Sequence, residues 1–134
     1  MVCKYISNPL LINNHKFDLR IYVLLTSVDP LRIYVYNEGL ARFASCPYDS
    51  GKHGLKNLYQ HLTNYSINKK SDSFSQNKSL DERDHGNKWS LSDLQAHFEK
   101  MGIHMQPIWE RIYDAIIKAI ISVEPHLLAG CKKI

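Results

Sequence analysis

The alternation of apolar and polar positions is clearest from residue 15 to residue 26. In His15-Lys16-Phe17-Asp18-Leu19-Arg20, a period of two puts Lys16, Asp18 and Arg20 on one face and Phe17 and Leu19 on the other. Further on, Leu19, Ile21, Val23 and Leu25 share one face, while Arg20, Tyr22, Leu24 and Thr26 share the other. Both faces are largely apolar there, which predicts a central strand covered on both sides. Ser27-Val28-Asp29-Pro30 is a turn signal. Leu31, Ile33 and Val35 then alternate with Arg32, Tyr34 and Tyr36 in a second strand. Asn37-Glu38-Gly39 reads as a hairpin turn with glycine available for positive φ. Leu40 to Ala44 follows as a third strand, with Arg42 pointing opposite to Ala41 and Phe43. The expectation is a three-stranded antiparallel meander. Its charged residues Lys16, Asp18, Arg20 and Arg42 either form a salt-bridge ladder at a solvated edge or line a polar site.

The flanks are less regular. Residues 3–12 (CKYISNPLLI) read as strand, turn and strand, a hinge whose backbone could face a flat heteroaromatic ring, and Asn13-Asn14 is a further turn signal. Residues 45–60 carry Pro47, Gly51 and Gly54 as breakers. His61-Leu62-Thr63-Asn64-Tyr65-Ser66-Ile67-Asn68 is dense in donors and acceptors between apolar anchors. It is either a loop that faces a ligand or a turn that satisfies its own backbone. Between Lys69 and Asn87 only Phe74 and Leu80 are apolar, which predicts a flexible loop at 69–87. Ser90 and Asp93 resemble a capping box at the start of a helix bearing Leu91, Leu94, Phe98 and Met101, ended by Gly102. A longer helix from Gln106 carries Ile108, Ile112, Ile116 and Ile120, widened by Trp109, Tyr113, Ile117 and Ile121, and is expected to be well buried. Pro125 ends or kinks it. A meander covered by two helices on one face leaves the face with Leu24 and its aromatic neighbours in need of a partner. The class is α+β.

Composition narrows the picture. At 134 residues and 44% apolar content, the chain is one domain or part of one. No run approaches the ~20 apolar residues of a membrane span, and the start lacks a signal-peptide core, so the reading is intracellular with no membrane partner. Three cysteines without CxxC spacing argue for reduced thiols. Seven histidines are scattered with no pair at helical i, i+4 spacing, and no metal ligand is assigned. The net charge of +4 suits an anionic ligand or an acidic protein partner. No basic stripe interleaved with aromatics points to nucleic acid.

Six stretches, in one order, resemble the tubulin tyrosine ligase-like family, in particular its tubulin polyglutamylase branch. They are KYISNPLLI at 4–12, KFDLRIYVLLTS at 16–27, DPLRIYVYNEGLARFA at 29–44, HLTNYSINKK at 61–70, GNKWS at 86–90 and IIKAIISVEP at 116–125. The resemblance implies a partial ATP-grasp fold, residues 1–134 being a piece of its central and C-terminal region. It implies ATP-dependent ligation of free L-glutamate to glutamate side chains of tubulin C-terminal tails through an acyl-phosphate. Carried over position by position, Cys3, Lys4, Tyr5, Ile6, Lys16, Asp18, Thr63 and Asn64 match ATP-binding positions. Arg20 matches a catalytic position near the phosphate end, and Arg42, Tyr65, Ser66 and Lys88 match positions that hold the incoming glutamate. The family's Mg2+ ligands have no counterpart among these residues, so the isolated piece is expected to be catalytically silent. The family also implies a cytoplasmic, cytoskeletal protein at microtubules, the cilium basal body or the centriole. Two other readings stand beside this one. One is a non-catalytic module that docks on acidic tubulin tails. The other is a family ligase that adds a different amino acid, such as glycine.

Overall fold

The structure is a computed structural model that describes residues 4–51, 56–74 and 86–131. Its strands form one four-stranded sheet in the order β1 (Leu11–Ile12), β2 (His15–Val28), β3 (Leu31–Phe43) and β4 (Lys88–Ser90). The helices are α1 (Leu58–His61), α2 (Tyr65–Asn68), α3 (Leu91–Lys100), α4 (Gln106–Ile121) and α5 (Glu124–Cys131). The α+β class expected from the pattern is what the chain adopts. By packing, the chain separates into two compact units, Met1–Arg20 with Gly39–Asp93, and Ile21–Glu38 with Leu94–Ile134.

In the first unit, Asn13 and Asn14 both take positive φ (49° and 63°) and turn β1 into β2. Asparagine tolerates that region better than most residues. The register pairs Leu11 with Lys16 and Ile12 with His15. On the other side β4 runs antiparallel to β3, with Leu40 opposite Ser90, Ala41 opposite Trp89 and Arg42 opposite Lys88. One face of this sheet is the core: Ile12, Ala41, Phe43, Ala44, Trp89 and Leu91 are buried. Phe43 meets Trp89 at 4.8 Å and Phe17 at 5.6 Å between ring centroids.

The expected turn at Asn37-Glu38-Gly39 does not form, because β3 runs straight through it. The meander is therefore one long hairpin, β2 and β3 joined at Asp29-Pro30, with β1 and β4 added at its edges. Gly39 serves close approach, not positive φ. A Cβ there would collide with the carbonyl oxygen of Arg20 and lie 3.0 Å from Leu91 Cδ1. The strand expected at Tyr5-Ile6 is also absent: residues 4–10 belong to no strand or helix. The stretch 61–68 is more ordered than its composition suggested, since α1 ends at His61 and α2 is one helical turn, leaving Leu62–Asn64 as the loop between them. Of the expected loop at 69–87, residues 75–85 lie outside the described residues. Cys46 and Cys131 are free thiols.

In the second unit, the outer part of the hairpin is not covered on both sides. Tyr22, Val23, Leu24, Tyr34 and Tyr36 are exposed, which corrects the expectation of a buried central strand over that stretch. Along α3, Leu94 and Phe98 are buried as expected, whereas Met101 is exposed. Gly102 ends the helix with φ +72°. Gly102 N–H donates to Glu99 O at 3.0 Å and Ile103 N–H to Phe98 O at 2.8 Å, the paired bonds of a Schellman stop. Helix α4 forms where its period places it, but none of its residues is fully buried. Ile108, Ile112, Ile116 and Ile120 make a half-buried line, while Tyr113, Ile117 and Ile121 are exposed. A period identifies the apolar side of a helix and not how much surface lies against it. The helix stops before Pro125, which then falls in the first turn of α5, a position where its missing N–H costs nothing.

Candidate functional site

The polar face of the first unit carries the charges that alternation placed there. Asp18 on β2 accepts two hydrogen bonds from Arg42 on β3, Nε to Oδ1 at 3.0 Å and Nη2 to Oδ2 at 2.6 Å. This is a bidentate fork that fixes the guanidinium plane. The pair is partly buried, with side-chain exposures of 18% for Arg42 and 36% for Asp18. Opposite Arg42 in register stands Lys88 on β4. Like charges at directly opposed positions repel. Here Asp18 offsets Arg42, and the Lys88 ammonium lies 4.0 Å from the centroid of the Tyr65 ring, a cation–π contact. Lys69 approaches the same ring at 5.8 Å. The result is a fixed guanidinium beside an ammonium that rests on an aromatic face, a donor set whose complement is a carboxylate.

The loop Leu62–Asn64 and the turn that follows are set by Asn68, which is 1% exposed. Its Oδ1 accepts from Ser45 N–H (2.8 Å) and Ser45 Oγ–H (2.7 Å), and its Nδ2 donates to Leu62 O (2.7 Å) and Asn64 O (3.1 Å). A buried amide fully used in this way has one orientation. It locks the loop carrying Thr63 and Asn64, and the helical turn that starts at Tyr65, to the end of β3. Thr63 is half-buried, Asn64 and Ser66 are exposed, and the Asn64 side chain does not cap the helix it precedes. Ser66 lines a shallow groove with Lys56, Asn57 and Lys70 and is not among the contacts of Arg42 or Lys88.

A second cluster involves the irregular segment 4–10. Lys16 Nζ donates to the Tyr5 hydroxyl at 3.3 Å and sits 4.5 Å from its ring centroid. The Tyr5 hydroxyl is 2.8 Å from His61 Nδ1, and His61 is buried. Tyr48 meets the same imidazole edge-on at 5.3 Å and donates its hydroxyl to Ser7 O at 2.9 Å. The Tyr5 hydroxyl and partial burial raise the Tyr48 pKa above its ordinary value. Lys4 and Ile6 flank Tyr5 and are exposed. Arg20 lies two positions beyond Asp18 on β2, exposed, with no ion pair among the described residues. Cys3 lies outside the described residues.

The structure thus joins Asp18 to Arg42, sets Lys88 opposite Arg42 and against Tyr65, and joins Lys16 to Tyr5. It does not bring Arg20 or Ser66 to those pairs. Sequence reasoning missed Asn68, His61 and Tyr48. Two of them sit in or beside the dense polar run at 61–68, and its density was the available signal, but nothing in the pattern tells a buried polar side chain from a solvated one.

Comparison with known proteins matches residues 1–132 to the tubulin-tyrosine ligase family. The tubulin polyglutamylase TTLL5 of Mus musculus is 47% identical over 132 residues, covering 98% of this chain and 10% of that protein. The tubulin monoglutamylase TTLL4 of Homo sapiens is 46% identical over 133 residues, 98% of this chain and 11% of the relative. The tubulin polyglutamylase ttll-5 of Caenorhabditis elegans is 50% identical over 125 residues, 92% of this chain and 17% of the relative. The chain spans about a tenth of the length of the first of these relatives. A family match along nearly the whole chain, on the segments that build the charged face, establishes that this chain belongs to the tubulin-tyrosine ligase family.

Proposed function

We propose that this chain supplies the glutamate-seating and part of the nucleotide-seating surface of an ATP-dependent tubulin glutamate ligase with a partial ATP-grasp fold. The observation that carries this reading is the Asp18–Arg42 fork set opposite Lys88 on its tyrosine face. An incoming glutamate is a dicarboxylate with one amine that must remain free to attack. A guanidinium held in plane binds a carboxylate bidentately, and a nearby ammonium adds charge without competing for that geometry. Tyr65, under the Lys88 ammonium, completes the seat in this reading, and Ser66 belongs to it by the family resemblance alone. The names of the relatives, glutamylases of tubulin, fit the same chemistry. An incoming glycine would leave one of the two cations without its counterpart.

ATP is the second substrate in this reading. The donor set fits it, with Lys16 as the cation, Thr63 and Asn64 as uncharged polar groups, and the segment of Cys3, Lys4, Tyr5 and Ile6 as the adenine edge. ATP supplies the phosphoryl group that makes an acyl-phosphate of the acceptor glutamate's γ-carboxylate. Arg20, exposed at the end of the charged row on β2, stabilises charge that develops at that carbonyl. The glutamate amine then displaces phosphate and an isopeptide bond forms. Asp18 acts in this scheme by orienting Arg42. Among the described residues, no cluster of three or more His, Cys, Asp or Glu could hold a metal ion, and no residue of this chain is assigned to Mg2+. The acceptors are tubulin C-terminal tails, which places the protein at the microtubule cytoskeleton.

The isolated chain is expected to be silent in this reading, so the test is incorporation of labelled glutamate into a tubulin tail peptide by the whole ligase that contains this chain, with and without ATP. The reading expects ATP-dependent incorporation, strong preference for glutamate over glycine, and loss of at least about 10-fold on Arg42→Ala, since one charge-assisted hydrogen bond contributes roughly 1.5–3 kcal/mol. Equal use of glycine contradicts the glutamate seat. Salt-sensitive binding of the tail peptide without any ATP turnover would instead favour a docking module.

A further inference from the structure

We infer that His61 is a positioning residue for the nucleotide subsite, acting through Tyr5 to fix the Lys16 ammonium and the segment 4–10. The inference rests on the nucleotide reading of Lys16 and Tyr5 given above. It assigns a role to a buried histidine that the scheme does not otherwise use.

Segment 4–10 forms no strand or helix, so no backbone ladder holds it. Side chains converging on one imidazole hold it instead. Tyr5, from the segment, and Tyr48, from the 45–51 connection, meet His61 edge-on at 5.8 Å and 5.3 Å between ring centroids. Tyr48 then fixes the segment again by donating to Ser7 O at 2.9 Å. His61 is only 9% exposed and closes helix α1, so it is the rigid member of the group, whereas Tyr5 is 46% exposed.

A lysine ammonium can only donate. The Tyr5 oxygen therefore accepts from Lys16 Nζ at 3.3 Å, and the same hydroxyl is hydrogen-bonded to His61 Nδ1 at 2.8 Å. Hydrogen bonds linked through one hydroxyl strengthen one another. A lysine has four rotatable side-chain bonds, and ordering it costs entropy at the moment of binding unless that order is already present. The chain Lys16–Tyr5–His61 supplies the order beforehand, with the Tyr5 ring under the ammonium at 4.5 Å. In the glutamate seat Arg42 is held by Asp18 and Lys88 rests on Tyr65, so the effect should fall on the nucleotide.

The experiment is titration calorimetry of the purified protein with ATP and, separately, with L-glutamate. The proteins are wild type, Tyr5→Phe, His61→Leu and His61→Asn, each with a thermal melt. Tyr5→Phe removes one hydroxyl from a half-exposed ring and keeps the ring, so it reports even if His61→Leu does not fold. The expected result is an ATP Kd raised about 3- to 10-fold by Tyr5→Phe and by His61→Leu, the effect of losing a neutral hydrogen bond. His61→Asn, whose amide oxygen can stand where Nδ1 does, should recover part of the loss. The glutamate Kd should stay within about twofold of wild type, a change below the ~0.5 kcal/mol of even a weak hydrogen bond. An unchanged ATP Kd in Tyr5→Phe overturns the inference and leaves the ligase reading standing. Equal weakening of ATP and glutamate with a lowered melt shows a merely structural histidine and also overturns it. A wild-type protein that binds no ATP overturns the nucleotide reading and the inference together.

Discussion

At the scale of single residues, the site depends on groups that hold other groups. Asn68 is the clearest case. Its amide saturates two donors of Ser45 and two loop carbonyls in a space closed to water. Asn68→Ala would take this partner from both Ser45 donors and from Leu62 O, while Asn64 O keeps its bonds from Ile67 N–H and Asn68 N–H, and a buried polar group without a partner costs about 1–3 kcal/mol. A loss of about 3 kcal/mol or more in urea denaturation is expected. A loss below about 1 kcal/mol would mean that solvent replaces the amide, against the cost expected for buried groups. Arg42→Lys tests the fork in another way. The charge stays, but Asp18 loses one of its two bonds and the remaining ammonium is not held in plane. Glutamate affinity should fall about 10-fold, a loss of ~1.4 kcal/mol, with little change in melting temperature. Alternation made Asp18 and Arg42 legible as neighbours on one face. It could not show that they pair with each other, because that needs the β2–β3 register, and a long hairpin fixes its register at a turn far from the pair.

At the scale of elements, the serine cap at the start of α3 was readable and forms, with Asp93 answering through the Ser90 hydroxyl. Ser90 Oγ accepts from Asp93 N–H at 3.0 Å and donates to Asp93 Oδ2 at 2.6 Å. Ser90→Ala should cost about 1 kcal/mol in stability, as other N-caps do. The Schellman stop at Gly102 was readable for a similar reason: caps are local, and their signals lie within a few residues. Gly39 was misread because a glycine serves two purposes that a sequence does not separate. Positive φ suits a turn, and the missing Cβ suits close packing. Gly39→Val should be severely destabilising, by about 3 kcal/mol or more, since a buried strand cannot retreat from the Arg20 carbonyl without breaking its ladder. A variant with wild-type stability would show that β2 and β3 are not closely apposed there. The short strand β4 was partly legible, as a return of order at Lys88-Trp89-Ser90. Its pairing partner was not, because Lys88 lies 46 positions after Arg42, which it pairs with, and no local signal spans that distance.

At the scale of the whole molecule, the pattern reported which faces are apolar more reliably than which are covered. Tyr22, Leu24, Tyr34 and Tyr36 were expected to need a partner, and they are exposed on the outer hairpin. Helix α4 was expected to be well buried and is half-buried at best. Periodicity marks which positions are apolar, and burial is a property of what lies against them. Leu24→Lys should therefore lower binding of a hydrophobic dye while leaving the melting temperature within a few degrees, because Leu24 makes no buried core contact. A collapse in stability would show that Leu24 is buried in solution. On the charged face of the first unit, by contrast, Lys16, Asp18, Arg20 and Arg42 were visible from residue spacing, whereas Lys88 on the edge strand entered only through the family resemblance.

The most direct test of the central claim, that Arg42 and Lys88 seat an anionic amino acid, is the affinity of the purified protein for L-glutamate measured against L-glutamine in Arg42→Ala and Lys88→Ala. The account predicts that wild type prefers glutamate, that each substitution weakens glutamate about 10-fold or more, and that the preference over glutamine shrinks. Wild-type affinity for glutamate in both variants would contradict it.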